Sequence, residues 1–180
     1  MMGDELVRNE VIINLLGRRS IRSFKSDPID ERQLKTILEA ALYAPSGHGS
    51  QSVRLIVITD PGVKKKLSKA NAAILGTKGD PFYGAPVIVA VLADKKAADY
   101  VYDGSVAIMN MMNAAFSLGI GSCWVHRAKQ EFESDEGKEL LKEWGLDDGF
   151  EGIGHCVLGY PMGIIPKAAP RKPGRIIYVK

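Results

Sequence analysis

Apolar and polar residues recur along the chain with two different periods, which predicts a mixture of helices and strands. Apolar residues return every three or four positions, or fill whole turns, in five segments that predict helices at residues 5–17, 30–44, 63–73, 103–118 and 136–144. Shorter apolar runs predict strands at residues 53–59, 87–93, 122–126 and 154–160, and an edge strand could form at residues 176–179. The sequence therefore predicts an α+β fold of four or five strands with helices on both sides, in one domain over residues 1–180.

The predicted helix at residues 103–118 has almost no polar side. Its apolar residues include Val106, Met109 and Phe116, and a helix that is apolar all round is buried all round. In so short a chain, the helix is either central or covered by a second subunit. The tail at residues 166–180 holds three prolines and little periodicity, so it has little reason to fold alone. Both features predict a homodimer in which the tail packs on the neighbouring subunit.

The composition of the 180-residue chain, with 46 % apolar residues, is that of an ordinary globular protein. Its 24 basic and 21 acidic side chains give a net charge of +3, which is too small to indicate a nucleic-acid partner. No apolar run approaches the roughly 20 residues that cross a bilayer, and the first residues lack the pattern of a signal peptide. Cys123 and Cys156 form no disulfide framework, which favours a reducing compartment. We therefore expect a cytoplasmic protein without nucleic-acid or membrane partners.

The segment at residues 18–22 reads RRSIR and lies between a predicted helix and Asp27-Pro28, so we expect it to be extended. Side chains alternate in an extended segment, which places Arg18, Ser20 and Arg22 on one face, with the two arginines about 13 Å apart. Arginine binds phosphate as a bidentate fork, and a serine hydroxyl adds a donor. The spacing therefore suits an elongated anion with a phosphate at one end. The alternative is that these arginines cap the first helix and face solvent.

The segment at residues 44–51 reads APSGHGSQ and forms a loop of small residues between a helix and a strand. Gly47 and Gly49 would let backbone N–H groups approach a ligand closely. Gln51 offers both a donor and an acceptor, as an amide-like or uracil-like edge requires. The alternative is an ordinary turn.

The segment at residues 119–127 reads GIGSCWVHR and places Trp124 at the end of a strand. A tryptophan in this position could form a wall for a planar ligand, and the alternative is a core tryptophan. His126, His155 and the two cysteines show no zinc-ligand spacing, so no metal site is predicted. The chain also lacks GxGxxG, Walker A and GxSxG motifs, which disfavours a Rossmann enzyme, a kinase or a serine hydrolase.

Six segments carry a resemblance when they are taken in order, namely RRSIRSF, APSGHGSQ, GAPVIVAV, GSCW, LGYP and PRKP. In this order they resemble the FMN-dependent nitroreductase family over nearly the whole chain. The resemblance implies a nitroreductase-like fold with a central mixed or antiparallel sheet, and an intertwined homodimer whose C-terminal tails are exchanged. It also implies that FMN is the cofactor, in sites that two subunits share.

The resemblance implies a role for each matching position. The FMN phosphate and ribityl chain would be held by Arg18, Arg19 and Ser20, and Arg171 in the tail would return to the phosphate. Arg22 would approach the N1/O2 side of the isoalloxazine. The partner subunit would line the ring and ribityl chain with Pro45, Ser46, Gly47 and Gln51. The flavin edge near N5 and O4 would be flanked by Trp124, Val125 and His126.

This sequence departs from the common family pattern at three places. His48-Gly49 stands where Gly-Asn is frequent, Ser52-Val53 replaces a frequent Pro-Trp, and His126-Arg127 stands where many relatives have smaller residues. Ring or substrate contacts of the missing Asn and Trp side chains are therefore in doubt. The chain is also short, so it lacks the insertions that shape substrate pockets in longer relatives. We therefore expect either an open site that admits many substrates or an electron donor other than that of the longer relatives.

The resemblance implies an oxidoreductase that passes electrons from NAD(P)H through flavin to a nitroaromatic, a quinone or an enone in a ping-pong cycle. Arg22 would stabilise the negative charge of the reduced flavin, and His126 would either donate a proton to the acceptor or pack beside the ring. Three other functions stay open, because one fold supports several chemistries. They are a flavin-modifying or dehalogenating enzyme, a flavin storage or sensor protein without turnover, and an anion-binding module without flavin.

Overall fold

The computed structural model describes residues 7–180, and helices and strands follow one another along most of this range. The helices are α1 (Glu10–Gly17), α2 (Glu31–Leu42), α3 (Pro61–Leu75), α4 (Tyr100–Ser117), α5 (Ala128–Glu133) and α6 (Asp135–Glu143). The strands are β1 (Val53–Ile58), β2 (Val87–Asp94), β3 (Gly121–Val125) and β4 (Phe150–Gly159). The α+β class is therefore confirmed, with a strand at each of the four predicted places between residues 53 and 160.

The four strands form one antiparallel sheet in the order β1-β2-β4-β3. Strand β2 is central, and its successive side chains point to opposite faces, where they enter two apolar clusters. Ile88 and Leu92 lie in the cluster that α3, α5 and α6 cover, whereas Val89 and Val91 lie in the cluster that α2 and α4 cover. All four are buried, which confirms the prediction of a strand covered on both faces.

Helix α4 packs closely on the sheet with one side only. A Cβ atom at Gly104 would lie 2.5 Å from Cγ1 of Ile153, so glycine is what allows the helix to approach β4. Met111 is buried on the same side, but Val106 and Met109 are 37 % and 40 % exposed. The expectation that this helix is buried all round is therefore wrong within one chain. Cover by a second subunit stays a prediction.

Helix α1 begins later than predicted because Asn9 is extended and caps it, with Oδ1 accepting the Ile12 N–H at 2.9 Å. Residues 5 and 6 of the predicted helix lie outside the described range. No residue of α1 is buried, and Val11 and Ile13 are exposed, so this helix offers a second uncovered apolar surface. Among the helices of residues 7–180, none combines the length and the apolarity that would cross a membrane.

The tail at residues 162–180 contains neither helix nor strand. The predicted edge strand at residues 176–179 is therefore wrong within one chain. A strand forms only where a neighbouring strand accepts its hydrogen bonds, and this segment is exposed with no strand beside it. The tail thus leaves apolar side chains in solvent, namely Ile164, Ile165, Ile176, Ile177, Tyr178 and Val179.

Candidate functional site

The arginine segment at residues 18–22 is extended and lies beside the start of β3. Ser20 forms a parallel bridge with Ser122, and the N–H of Ile21 donates to the Ser122 carbonyl at 2.9 Å. Ile21 is buried and anchors the segment to the core, whereas Arg22 is exposed. The prediction of an extended segment is confirmed.

The thiol of Cys123 lies near three side chains of this segment. Burial raises the pKa of Cys123, and the charge of Arg22, a hydrogen bond with Ser20 and the charge of Arg18 oppose this rise. Burial and the nearby Cys123 also raise the pKa of Cys156, again against the charge of Arg18. Arg18, Ser20 and Arg22 therefore all lie close to β3.

The guanidinium of Arg18 is partly buried without a partner. Its Nε and Nη1 atoms make no hydrogen bond to any part of residues 7–180, and the same holds for Nε of Arg19 and Oγ of Ser122. A buried donor without a partner costs about 1–3 kcal/mol, and more when it carries a charge. This cluster of donors therefore fits an anionic group with several acceptor oxygens, such as a phosphate.

Arg19 also caps helix α1. Its Nη1 donates to the carbonyls of Leu16 and Arg18 at 2.8 and 2.6 Å. The carbonyls at the end of a helix have no partner within the helix, so this contact is the one that the capping alternative predicts. Nε and Nη2 of Arg19 make no hydrogen bond to any part of residues 7–180, so these two atoms are left to contact a ligand.

The loop before β1 is organised by a buried carboxylate that the sequence reasoning missed. Asp103 of α4 is 3 % exposed and accepts hydrogen bonds from the Gly47 N–H at 2.9 Å, from Ser50 Oγ at 3.0 Å and from Ser52 Oγ at 2.7 Å. Burial would raise the pKa of Asp103, but the three hydrogen bonds together outweigh burial and lower it. The only sequence signal was a single acid in an otherwise apolar helix.

The same loop is more constrained than an ordinary turn. His48 and Gln51 both have positive φ values, 53° and 48°, which residues other than glycine rarely adopt. Ser46 Oγ accepts the Gln51 N–H at 3.1 Å, and a Cβ atom at Gly47 would lie 2.3 Å from Oδ2 of Asp99. The side chains of Pro45 and Gln51 are exposed, so the loop presents them outward.

Trp124 and His126 form an aromatic pair at the end of β3. Their rings are stacked, with centroids 5.5 Å apart and planes inclined by 28°. Trp124 is half-buried and its Nε1 has no partner among residues 7–180, whereas His126 is exposed. The adjacent Val125 is buried. Trp124 is therefore not a simple core residue, since part of it can meet a ligand.

The arginine segment and the loop lie at diagonally opposite corners of the sheet. Ser122, beside the arginine segment, is level with Val87 of β2, and Val53, at the end of the loop, is level with Ala93. The two corners are six residues apart along β2 and three strands apart across the sheet. The distance between them is therefore roughly 25 Å. One chain does not bring the two segments together.

Arg171 also stays apart from the arginine segment in the single chain. Its Nε and Nη2 donate to the carbonyl of Ala169 at 3.2 and 2.8 Å, and the residue is exposed. Within residues 7–180 it makes no other side-chain hydrogen bond and no ion pair. Its predicted contact with a phosphate therefore stays a prediction that concerns the dimer.

The histidines and cysteines do not converge. The His155 ring is buried with Nε2 at 2.6 Å from Oε2 of Glu131, whereas the His126 ring is exposed and stacks on Trp124. Over residues 7–180, no group of three or more His, Cys, Asp or Glu side chains is placed to hold a metal ion. The polar groups that the site offers are guanidinium, hydroxyl and amide donors, which suit an anion.

The chain belongs to the nitroreductase family, because the family model matches residues 15–81 and 74–163. An Archaeoglobus fulgidus protein, provisionally named an NADH dehydrogenase/NAD(P)H nitroreductase, is 34 % identical over 157 residues, which are 84 % of this chain and 86 % of the relative. A nitroreductase from Bacteroides fragilis, crystallised with bound FMN, has a TM-score of 0.88 at 28 % identity and covers 96 % of this chain and 100 % of that one. A nitroreductase from Desulfitobacterium hafniense, also with bound FMN, has a TM-score of 0.85 at 26 % identity and covers 97 % and 100 %.

Proposed function

We propose that this chain is an FMN-dependent NAD(P)H oxidoreductase that passes electrons to a small acceptor. The observation that carries the proposal is the buried guanidinium of Arg18, whose Nε and Nη1 have no partner among residues 7–180. Membership of the nitroreductase family and the two FMN-bound relatives support it, as does the name of the archaeal relative. We also propose a cytoplasmic location, on the strength of two free, buried cysteines.

The residues around Arg18 fit the phosphate end of FMN. Arg18 and Arg19 would donate from their unpartnered guanidinium atoms, and Ser20 would add a hydroxyl. Bound FMN would supply the redox chemistry, and the protein would supply binding, orientation and charge. Arg22 would approach N1 and O2 of the ring, where its charge would stabilise the anionic character of the reduced form. Fixed donors of this kind contribute about 3 kcal/mol in other enzymes.

The acceptor would be a flat molecule that docks against the Trp124–His126 pair. Trp124 is half-buried and His126 exposed, so this wall is open to solvent rather than enclosed. An open wall of two aromatic rings suits a nitroaromatic, a quinone or an enone without selecting one of them. NAD(P)H would use the same position before the acceptor does, which is the order of a ping-pong cycle.

The flavin site would be shared between two copies of the chain. The arginine segment and the loop at residues 44–51 are roughly 25 Å apart on the sheet. Arg18 and Arg22 would by themselves bracket about 13 Å of ligand. A flavin held by the arginine segment would therefore not reach Gly47 and Gln51 of the same chain. The corresponding loop of a second copy would supply them.

A homodimer would also cover the apolar surfaces that one chain leaves in solvent. These are the outer side of α1, the side of α4 with Val106 and Met109, and the tail. A groove of about 500 Å³ lies between α2, β1 and α4, with Leu38, Val53 and Leu55 in its lining. Among residues 7–180, strand β1 pairs only with β2, so its other edge is free for a fifth strand. We assign that place to residues 176–179 of the second copy.

The test is the visible spectrum of the purified protein, followed by identification of the cofactor that denaturation releases. We expect flavin absorbance, FMN as the released compound, bleaching by NADH or NADPH, and recovery when a nitroaromatic or quinone is added. A protein that binds no flavin would contradict the proposal. Bleaching that no acceptor reverses would indicate a storage or sensor protein. Release of halide or a modified flavin would indicate one of the other chemistries.

A further inference from the structure

A network of hydrogen-bonded polar side chains is buried behind the Trp124–His126 pair. At its centre is Asn71 of α3, which is 0 % exposed. Its Nδ2 donates to the His126 carbonyl at 2.8 Å and to Oε2 of Glu131 at 2.9 Å, and its Oδ1 accepts from Nε of Arg127 at 2.8 Å. Both polar atoms of the Asn71 amide are thus directed at the segment that joins β3 to α5.

The inner end of this hydrogen-bond network is fixed in the sheet. Oε2 of Glu131 also lies 2.6 Å from Nε2 of His155, and both residues are buried. His155 belongs to β4, where it pairs with Val125 of β3. Buried polar networks make the groups that they join rigid, so Asn71 holds the backbone of residues 126–127 in a fixed position relative to the sheet.

Arg127 is the outermost residue of this hydrogen-bond network. Its φ of +78° is a left-handed conformation that a residue other than glycine adopts only when its surroundings impose it. The bond through Nε leaves the two terminal amino groups, which are accessible and have no hydrogen-bond or carboxylate partner among residues 7–180. A guanidinium that is held through Nε and has both terminal amino groups free is oriented to bind an oxyanion with those two groups.

We propose that Arg127 is an anion-selecting residue at the rim of the flavin site and that Asn71 is its positioning residue. The anion is a carboxylate or phosphate of the donor or acceptor that docks against the Trp124–His126 pair. Arg127 directly follows His126, whose ring is part of that pair. Glu131 forms no ion pair with Arg127 among residues 7–180, and its Oε2 is engaged by Asn71 and His155. The inference rests on the proposed function, since it needs a flavin beside Trp124.

Benzoate and benzamide test the selection, because they share a shape and differ in charge. Each is titrated into the FMN-loaded protein, and binding is followed by the change in flavin absorbance. We expect the unaltered protein to prefer benzoate. Arg127→Gln should lower the benzoate affinity roughly tenfold and leave the benzamide affinity within about twofold. The matched control is Lys129→Gln, which removes an exposed cation paired with Glu151 at 2.8 Å and should leave both affinities unchanged.

Asn71→Leu tests the positioning role, with Asn71→Ser as a second variant should leucine prevent folding. We expect either change to lower the benzoate affinity roughly fivefold when Arg127 is present and to have no further effect in the Arg127→Gln background. The benzamide affinity and the flavin spectrum should stay as they are. Equal losses in both backgrounds would assign Asn71 a purely structural role and overturn this part of the proposal.

Steady-state kinetics then identify which molecule carries the anion. A phosphate of the donor predicts a higher KM for NADPH or NADH in Arg127→Gln. A carboxylate of the acceptor predicts a lower kcat/KM for 4-nitrobenzoate but not for 4-nitrobenzamide. FMN-loaded protein that shows no preference for benzoate, or loses both ligands equally in Arg127→Gln, overturns the role of Arg127 and leaves the proposed function intact. Protein that never binds FMN overturns both.

Discussion

The carboxylate of Asp103 accepts the N–H of Gly47 at 2.9 Å, although 56 positions separate the two residues in the chain. The same carboxylate accepts the hydroxyls of Ser50 and Ser52. A residue of α4 therefore fixes the loop that the family resemblance assigns to the flavin of the other subunit. Helix α4 also carries Met109 on its exposed side. The same helix therefore holds the loop in place and contributes to the predicted dimer surface.

Asp103→Ala should destabilise the protein and weaken FMN binding. The change leaves the buried Ser52 hydroxyl and the Gly47 N–H without an acceptor, which costs about 3 kcal/mol of unfolding free energy in total. Urea unfolding at neutral pH measures this loss, and a flavin titration should show roughly tenfold weaker binding. Asp148→Ala is the control, since Asp148 is exposed and accepts no side-chain hydrogen bond in the described range. Equal effects of the two changes would contradict the organising role of Asp103.

Asp103 also predicts how stability depends on pH. Burial disfavours its charged form, but the bonds from Ser52, Gly47 and Ser50 hold its pKa below the ordinary 3.8. In acid, the folded protein then binds fewer protons than the unfolded chain, so this contribution is fully present above roughly pH 4 and is lost as pH falls through the folded pKa. The difference in unfolding free energy between the unaltered protein and Asp103→Asn should be constant near neutral pH and shrink in acid. A difference that widens on acidification would refute this account.

The parts of the fold that follow from local pattern could be predicted from the sequence. Strand β2 is one, because seven consecutive apolar residues from Val87 to Ala93 are typical of a strand covered on both faces. The first residues of β4 could not be predicted, because a glycine such as Gly152 is not typical of a strand. The glycine is required by packing, since a Cβ atom at position 152 would lie 2.5 Å from the Ala128 carbonyl oxygen. Helix α5 has only six residues, too few for a period to show.

The candidate site was open to prediction at residues whose own chemistry suits a phosphate, and not at residues that act by holding other residues. Arg18 and Ser20 stand out because a phosphate needs donors of their type. Asp103 and Asn71 act on residues about 55 positions away, and no local pattern marks such a pair. The exposure of Met109 was missed for a related reason, since an apolar period does not tell a chain's own core from the core of a dimer.

Met109→Glu should turn the proposed dimer into a monomer and lower the affinity for FMN. Met109 is 40 % exposed in one chain, so the fold should tolerate a carboxylate there, whereas an apolar subunit interface should not. Sedimentation at micromolar concentration measures the first effect and a flavin titration the second. Lys138→Gln on the exposed side of α6 makes the same change of charge and should alter neither. A Met109→Glu dimer with normal flavin affinity would place the interface elsewhere.

Arg22→Ala should weaken FMN binding and slow reduction of the bound flavin. The exposed guanidinium of Arg22 adds positive charge beside Ser20, and charged donors contribute about 1.5–3 kcal/mol to binding. Stopped-flow mixing with NADPH measures the rate of bleaching. Arg32→Ala removes an exposed arginine of α2 and should change nothing. Normal affinity and normal bleaching in Arg22→Ala would remove Arg22 from the site.

The pH–rate profile should be unchanged in His126→Ala, since the ring stacks on Trp124 at 5.5 Å between centroids and this contact favours packing over proton transfer. Loss of the stacked face should raise the KM of the acceptor severalfold, and His126→Phe should restore it, because phenylalanine keeps a ring without a titrating group. If the imidazole instead donates a proton, both variants lose one limb of the profile, because neither alanine nor phenylalanine can donate it. Measuring kcat/KM of the acceptor across the pH range separates the two roles, because Phe rescues packing and cannot rescue proton donation.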